Sequence, residues 1–199
     1  MRKLFLTGFA IAFSLFVMAQ EKTRQKEVGL SFSNLDEFGI IYRVGDEKAL
    51  WRFNAVSLGG SERKSENLLD SESEDTSNSF GFGLGFGREF RKVIANSLEF
   101  RYGLDLRYNY SKYENQNDNS VYNSDSKTNR FGLDFVVGLT YDISDKLVFG
   151  AELSPGVGYS ISKQTTKNSD GDISAKIETK NFSYGFSNSS AQLTLAYRF

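Results

Sequence analysis

Between Val28 and Phe199, segment after segment places large apolar side chains at every second position, and the residues between them are mostly small, polar or charged. A period of two is the signature of extended strands whose faces meet different surroundings, and it leaves little room for helix. Eight such segments can be read. Val28–Phe32, Phe38–Val44 and Ala49–Leu58 come first, the last with Trp51, Phe53 and Ala55 against Arg52 and Asn54. In the fourth, Phe80, Phe82, Leu84 and Phe86 interleave with Gly81, Gly83, Gly85 and Gly87. The fifth, Leu98–Asn109, and the sixth, Arg130–Leu139, set Leu, Phe and Tyr against Arg, Asp, Glu and Gly. Leu147–Val157 and Leu193–Phe199 complete the series, the latter joined to Tyr184 and Phe186 by a bulge around Asn188–Ser190 that corrects a change of parity.

The polar parity decides which face is outside. Arg43, Arg52, Arg101, Arg107 and Arg130 all fall on it. Each would cost about 2–4 kcal/mol if it faced the middle of a bilayer. Five such penalties rival the whole stability of an ordinary domain, about 5–15 kcal/mol. The pattern predicts an all-β, eight-stranded antiparallel up-and-down transmembrane β-barrel, apolar toward lipid and polar within. The connections fit. Gly45–Lys48 and Asp142–Asp145 are short, whereas 59–79, 111–129 and 162–181 are long and polar, as on the two sides of an exported barrel. Asn34–Glu37 is a tight turn instead, and Arg88–Asn96 reads as a turn of unusual length. Trp51, Phe53, Tyr141, Phe149, Tyr197 and Phe199 form an expected aromatic girdle at the inner rim, with Phe80, Tyr108, Tyr110, Phe131 and Tyr159 at the other.

Ahead of the strands, Arg2-Lys3, an apolar run from Leu4 to Val17 and Val17-Met18-Ala19 read as a secretory signal peptide over 1–19, leaving 20–199 as the barrel domain. The chain contains no Cys and no His, so no disulfide, thiol nucleophile, Cys/His zinc site or imidazole base can be built. The formal net charge of −1 gives no electrostatic case for nucleic acid. No cofactor is expected, and no metal site. Asn168–Asp172 has part of the composition of a calcium loop but lacks its spacing and closing Glu, so a hairpin turn at Asp170-Gly171 is preferred.

The segment ending the chain, with Leu193, Leu195, Tyr197 and Phe199 on one face, resembles the assembly signal on the last strand of Gram-negative outer-membrane barrels. With the leader and the strand pattern, everything after Ala19 resembles the eight-stranded outer-membrane β-barrel domains of OmpA/OmpX-like architecture. The resemblance implies a monomer surrounded by outer-membrane lipid and inserted by the barrel-assembly machinery through its C-terminal strand. It carries no catalytic motif, and acyl hydrolases of similar build use a Ser/His pair that cannot exist here.

Inward parity collects Glu27, Arg43, Arg52, Glu99, Arg101, Asp105, Arg107, Arg130, Asp134, Glu152 and Arg198, five acids and six bases. Buried charge must be paired, so these are expected to form an interior ion-pair network that plugs a lumen only as wide as its side chains. The glycines of the fourth strand are expected to make room for Arg52 and Arg101. The function expected is structural, or contact with a surface partner through the outer loops, of which acidic 61–79 is one. A narrow pore for small solutes or ions, and an exported soluble barrel binding an apolar ligand, are the competing expectations.

Overall fold

Strands with one greasy and one charged face can satisfy both in lipid by closing on themselves, which also removes every unpaired edge. The computed structural model describes residues 24–34, 37–66, 74–117, 122–168, 172–185 and 191–199. The strands are β1 (Gln25–Asn34), β2 (Glu37–Gly45), β3 (Ala49–Glu66), β4 (Glu74–Ala95), β5 (Leu98–Asn117), β6 (Tyr122–Asp142), β7 (Leu147–Leu153), β8 (Gly156–Asn168), β9 (Ile173–Gly185) and β10 (Ala191–Arg198). All pairings are antiparallel. β1 to β7 pair in succession and β10 bridges β7 and β1, so eight strands close a ring. Main-chain bonds between Lys26 and Phe199, 2.9 and 3.2 Å long, fasten the seam.

Above the ring the sheet continues but does not close. β6 pairs β7 through Val137–Asp142 and β8 through Tyr122–Asp134. The change of partner falls at Pro155, which has no N–H to give a ladder; its carbonyl instead accepts from Phe135 at 2.8 Å. β9 pairs β8 alone. The β2–β3 ladder ends at Gly39–Val56, while β3 and β4 stay paired as far as Glu66–Glu74. The result is an open extension of β3, β4, β5, β6, β8 and β9 standing over a short β1–β2 hairpin.

The packing is inverted relative to a soluble domain. Arg43, Arg52, Arg101, Glu27 and Glu89 are at most 1% exposed, whereas Leu106 is 63% and Phe135 57% exposed. Trp51 stacks on Phe86 with centroids 5.1 Å apart, and Tyr108 meets Phe131 at the same distance. These rings lie on the apolar outer wall, where aromatic pairs are worth about 0.5–1.5 kcal/mol beyond area.

Several expectations need correction. β4 runs through 88–95 without a break, so the turn there is only Asn96-Ser97. Much of 59–79, 111–129 and 162–181 is strand: the extension has polar residues on both faces, so no alternation betrays it. The seventh segment is two strands, parted at Ser154-Pro155. The signal peptide, the Asn188–Ser190 bulge and the Asp170-Gly171 turn lie outside the described residues.

Candidate functional site

The inward positions of the ring bring guanidiniums and carboxylates into contact across the lumen. Arg52, on β3, lies 2.8 Å from Glu89, 2.8 Å from Glu152 and 3.1 Å from Asp105. Arg43, on β2, donates to Glu152, and its Nε is 3.3 Å from Glu89. Arg101, on β5, reaches Glu27 at 3.0 Å, Glu89 at 3.2 Å and Glu99 at 3.1 Å. Each arginine therefore bridges carboxylates borne by different strands, as its planar fork of donors allows. Amides complete the cluster: Gln192 donates to Glu152 at 3.0 Å and Asn54 to Asp105 at 3.1 Å.

Toward the termini a second tier continues the pattern. Arg198 sits 3.1 Å from Glu27 and 3.0 Å from Asp142, and Arg91 is 2.6 Å from Glu99. Toward the other end the inward positions of the described residues hold one more pair, Arg107 with Asp134 at 2.9 Å. The charged plug thus fills the lumen near the termini and thins toward the extension.

Of the eleven interior positions read from the sequence, Glu27, Arg43, Arg52, Glu99, Arg101, Asp105, Glu152 and Arg198 meet in one cluster. Arg107 and Asp134 pair beside it. Arg130 is not brought in: it is exposed, with no ion pair among the described residues. Glu89 and Arg91 are central, yet the sequence reading leaves them out. The signal for them is present, since they continue the odd-numbered parity of Gly81 to Gly87 beyond the point where the unbroken apolar alternation stops.

At Gly85 and Gly87 of β4 the nearest neighbours are not the expected Arg52 and Arg101. A Cβ on Gly87 would overlap the Asp105 carboxylate, and one on Gly85 would crowd Asn54 at 3.2 Å. Across the lumen a Cβ on Gly156 would overlap Asp134, and one on Gly138 would come within 2.9 Å of Glu152. The small residues make room for carboxylates, and the arginines reach in from between them. On the exposed β8–β9 hairpin, a hydrogen bond from Lys180 holds the Glu178 carboxyl below its ordinary range, the two charges lying 3.1 Å apart.

The C-terminal residues Leu193, Leu195, Tyr197 and Phe199 all face outward, between 41% and 58% exposed. The acidic stretch is divided between the ends of β3 and β4, with Glu66 opposite Glu74 and Ser65 opposite Asp75.

A family model described as "Putative OmpA-OmpF-like porin family" matches residues 70–189. Among solved structures, a major outer membrane protein from Thermus thermophilus aligns with a TM-score of 0.51 at 13% identity, covering 89% of this chain and all of that one (100%). The attachment invasion locus protein Ail of Yersinia pestis aligns at 0.36 and 12% identity, over 88% of this chain and 95% of its own. Neisserial surface protein A aligns at 0.35 and 13%, over 88% and 91%. No curated protein matches the sequence.

Proposed function

Because the chain belongs to the OmpA-OmpF-like porin family and forms a β-barrel of the bacterial outer membrane, we propose that it is a closed barrel with a structural or surface-contact role and no catalytic activity. One observation carries this reading: six arginines of the ring stand on carboxylates inside the lumen, and three of them, Arg43, Arg52 and Arg101, are fully enclosed. Ions crossing would have to displace paired charges, and removing one partner of a buried pair costs about 3–5 kcal/mol. Contacts with partners fall to the extension beyond the ring, whose edge strand β9 is exposed throughout. Leu193, Leu195, Tyr197 and Phe199 serve as the handle for the barrel-assembly machinery, and lipid surrounds a single copy.

Reconstitution into planar bilayers tests the reading. Wild type is expected to give no large stable current, and Arg101→Ala is expected to lower stability without creating one. A large, steady single-channel conductance from the wild type would replace the closed barrel with the narrow pore.

A further inference from the structure

Beyond the plug the lumen opens. A Cβ placed on Gly59 of β3 would meet nothing within 4 Å, and one on Gly81 of β4 would touch only main chain at 3.2 Å and the edge of Ser111. Two arginines stand in this space. Arg107 passes over Gly132, where an inward Cβ would lie 3.6 Å from its Nε, and its side chain stays 40% exposed although it pairs with Asp134. Arg130 is opposite Asn109 on one neighbouring strand and Ser160 on the other, on the same inward parity as Asp134. It is exposed, and among the described residues no carboxylate pairs with it. Arg107 thus takes the buried Asp134, and among the described residues Arg130 is left without a carboxylate. An unneutralised guanidinium in a low-dielectric concavity concentrates anions, and its fork matches a phosphate.

The wall facing these arginines is incomplete. β5 and β6 are four strands from β1 and β2 in a ring of eight, so Arg107 and Arg130 look across at the β1–β2 hairpin. Ladder rows climb around the barrel: the row leaving Glu27 passes Arg43, Arg52, Gly87, Asp105 and Asp134 and arrives at Gly185, whereas Glu27 itself pairs Arg198. With strands tilted by about 40° and about 4.8 Å apart, each step from β2 toward β5 rises by about 3 Å. Tyr110 of the upper girdle therefore stands about 9 Å above Phe38, near the upper end of β2. Strands β1 and β2 end below the level of the girdle, and over them, among the described residues, lies a notch between β3 and β9 at the depth of the outer leaflet. Its sill is apolar, with Phe38 63% and Ile40 53% exposed.

We infer that the upper lumen is a binding site for the phosphate-bearing headgroup of a membrane lipid, which enters sideways over the β1–β2 hairpin and rests on Arg130 and Arg107 while its acyl chains remain along Phe38 and Ile40. Charge and shape both select this occupant: the cup offers guanidiniums to a phosphate, and the notch admits a headgroup without drawing chains into polar space. The inference goes beyond the closed-barrel reading and depends on it only for the barrel's place in the membrane.

The test uses phosphatidic acid doped into dodecyl maltoside micelles, with retention by the folded barrel followed by native mass spectrometry. Wild type is expected to retain one phosphatidic acid in at least tenfold preference to phosphatidylcholine, whose choline offsets the phosphate charge. Arg130→Gln is expected to weaken retention at least tenfold, with Arg130→Lys keeping most of it and Arg107→Gln also losing affinity. Lys127→Gln, a charge removed from the outer wall of the same strand, should change nothing. Arg130 has no ion pair to break among the described residues, so its variants fold and the comparison stands even if Arg107→Gln does not. Equal retention by wild type and Arg130→Gln overturns the site. Displacement of the lipid by inorganic phosphate at equal concentration overturns the lipid as occupant in favour of a free solute. A conducting wild type would sink the closed barrel yet leave these binding results as they are.

Discussion

Glu152 compensates two guanidiniums at once. Its Oε2 lies 2.8 Å from Arg52 and its Oε1 accepts from Arg43, and Glu152 is only 2% exposed. Glu152→Ala leaves both arginines short of a counter-charge in a site that water does not reach, so a loss of about 3–5 kcal/mol is expected. The readout is the urea midpoint of the barrel refolded in detergent micelles. Glycines divide by the space in front of them. Gly87→Ala would set a methyl against the Asp105 carboxylate and the Leu104 carbonyl, and is expected to destabilise by about 1–3 kcal/mol. Gly59→Ala faces open space and should stay within about 0.5 kcal/mol of wild type in the same titration. Equal effects at the two positions would mean that the carboxylates do not occupy the glycine hollows.

At the level of the strand, alternation is the information that matters, and it is strongest where lipid enforces it. Leu104 on β5 faces outward, 45% exposed, between Gly103 and Asp105. Leu104→Arg is expected to cost about 2–4 kcal/mol in lipid bilayers, the penalty for a cation near the midplane; an unchanged unfolding midpoint in liposomes would contradict the assigned faces. The same logic explains what can be read in advance. All eight ring strands are legible because one parity is Phe, Leu, Tyr and Val. The end of β4 escapes the pattern because Arg88 and Lys92 stand on the outward parity. Arg88 is held there by lying 4.6 Å over the face of Trp51, a cation–π contact that no linear pattern announces. The extension reads as loops because once both faces are wet nothing requires alternation. Of the charge cluster, membership follows from parity, but which acid meets which arginine depends on the stagger between strands, and that is set by ring closure rather than by any local run of residues.

Ring and extension differ in how thoroughly their strands are held. β7 has partners on both sides, whereas among the described residues β9 is bonded along one edge only. Hydrogen exchange should therefore separate them: amides of 147–153 protected together, and in 173–185 an alternation of protected amides facing β8 and fast ones facing away. Uniform protection across β9 would mean that its second edge is covered. The seam between β1 and β10 has a consequence of its own. The strand that completes the circle is translated after every other described strand, and until it arrives seven rows of aromatic and aliphatic side chains have neither lipid nor a closed wall to shelter them. Such long-range pairing forms slowly and leaves exposed edges open to aggregation meanwhile. A polypeptide built this way does best if it travels unfolded and becomes a cylinder only on reaching the bilayer.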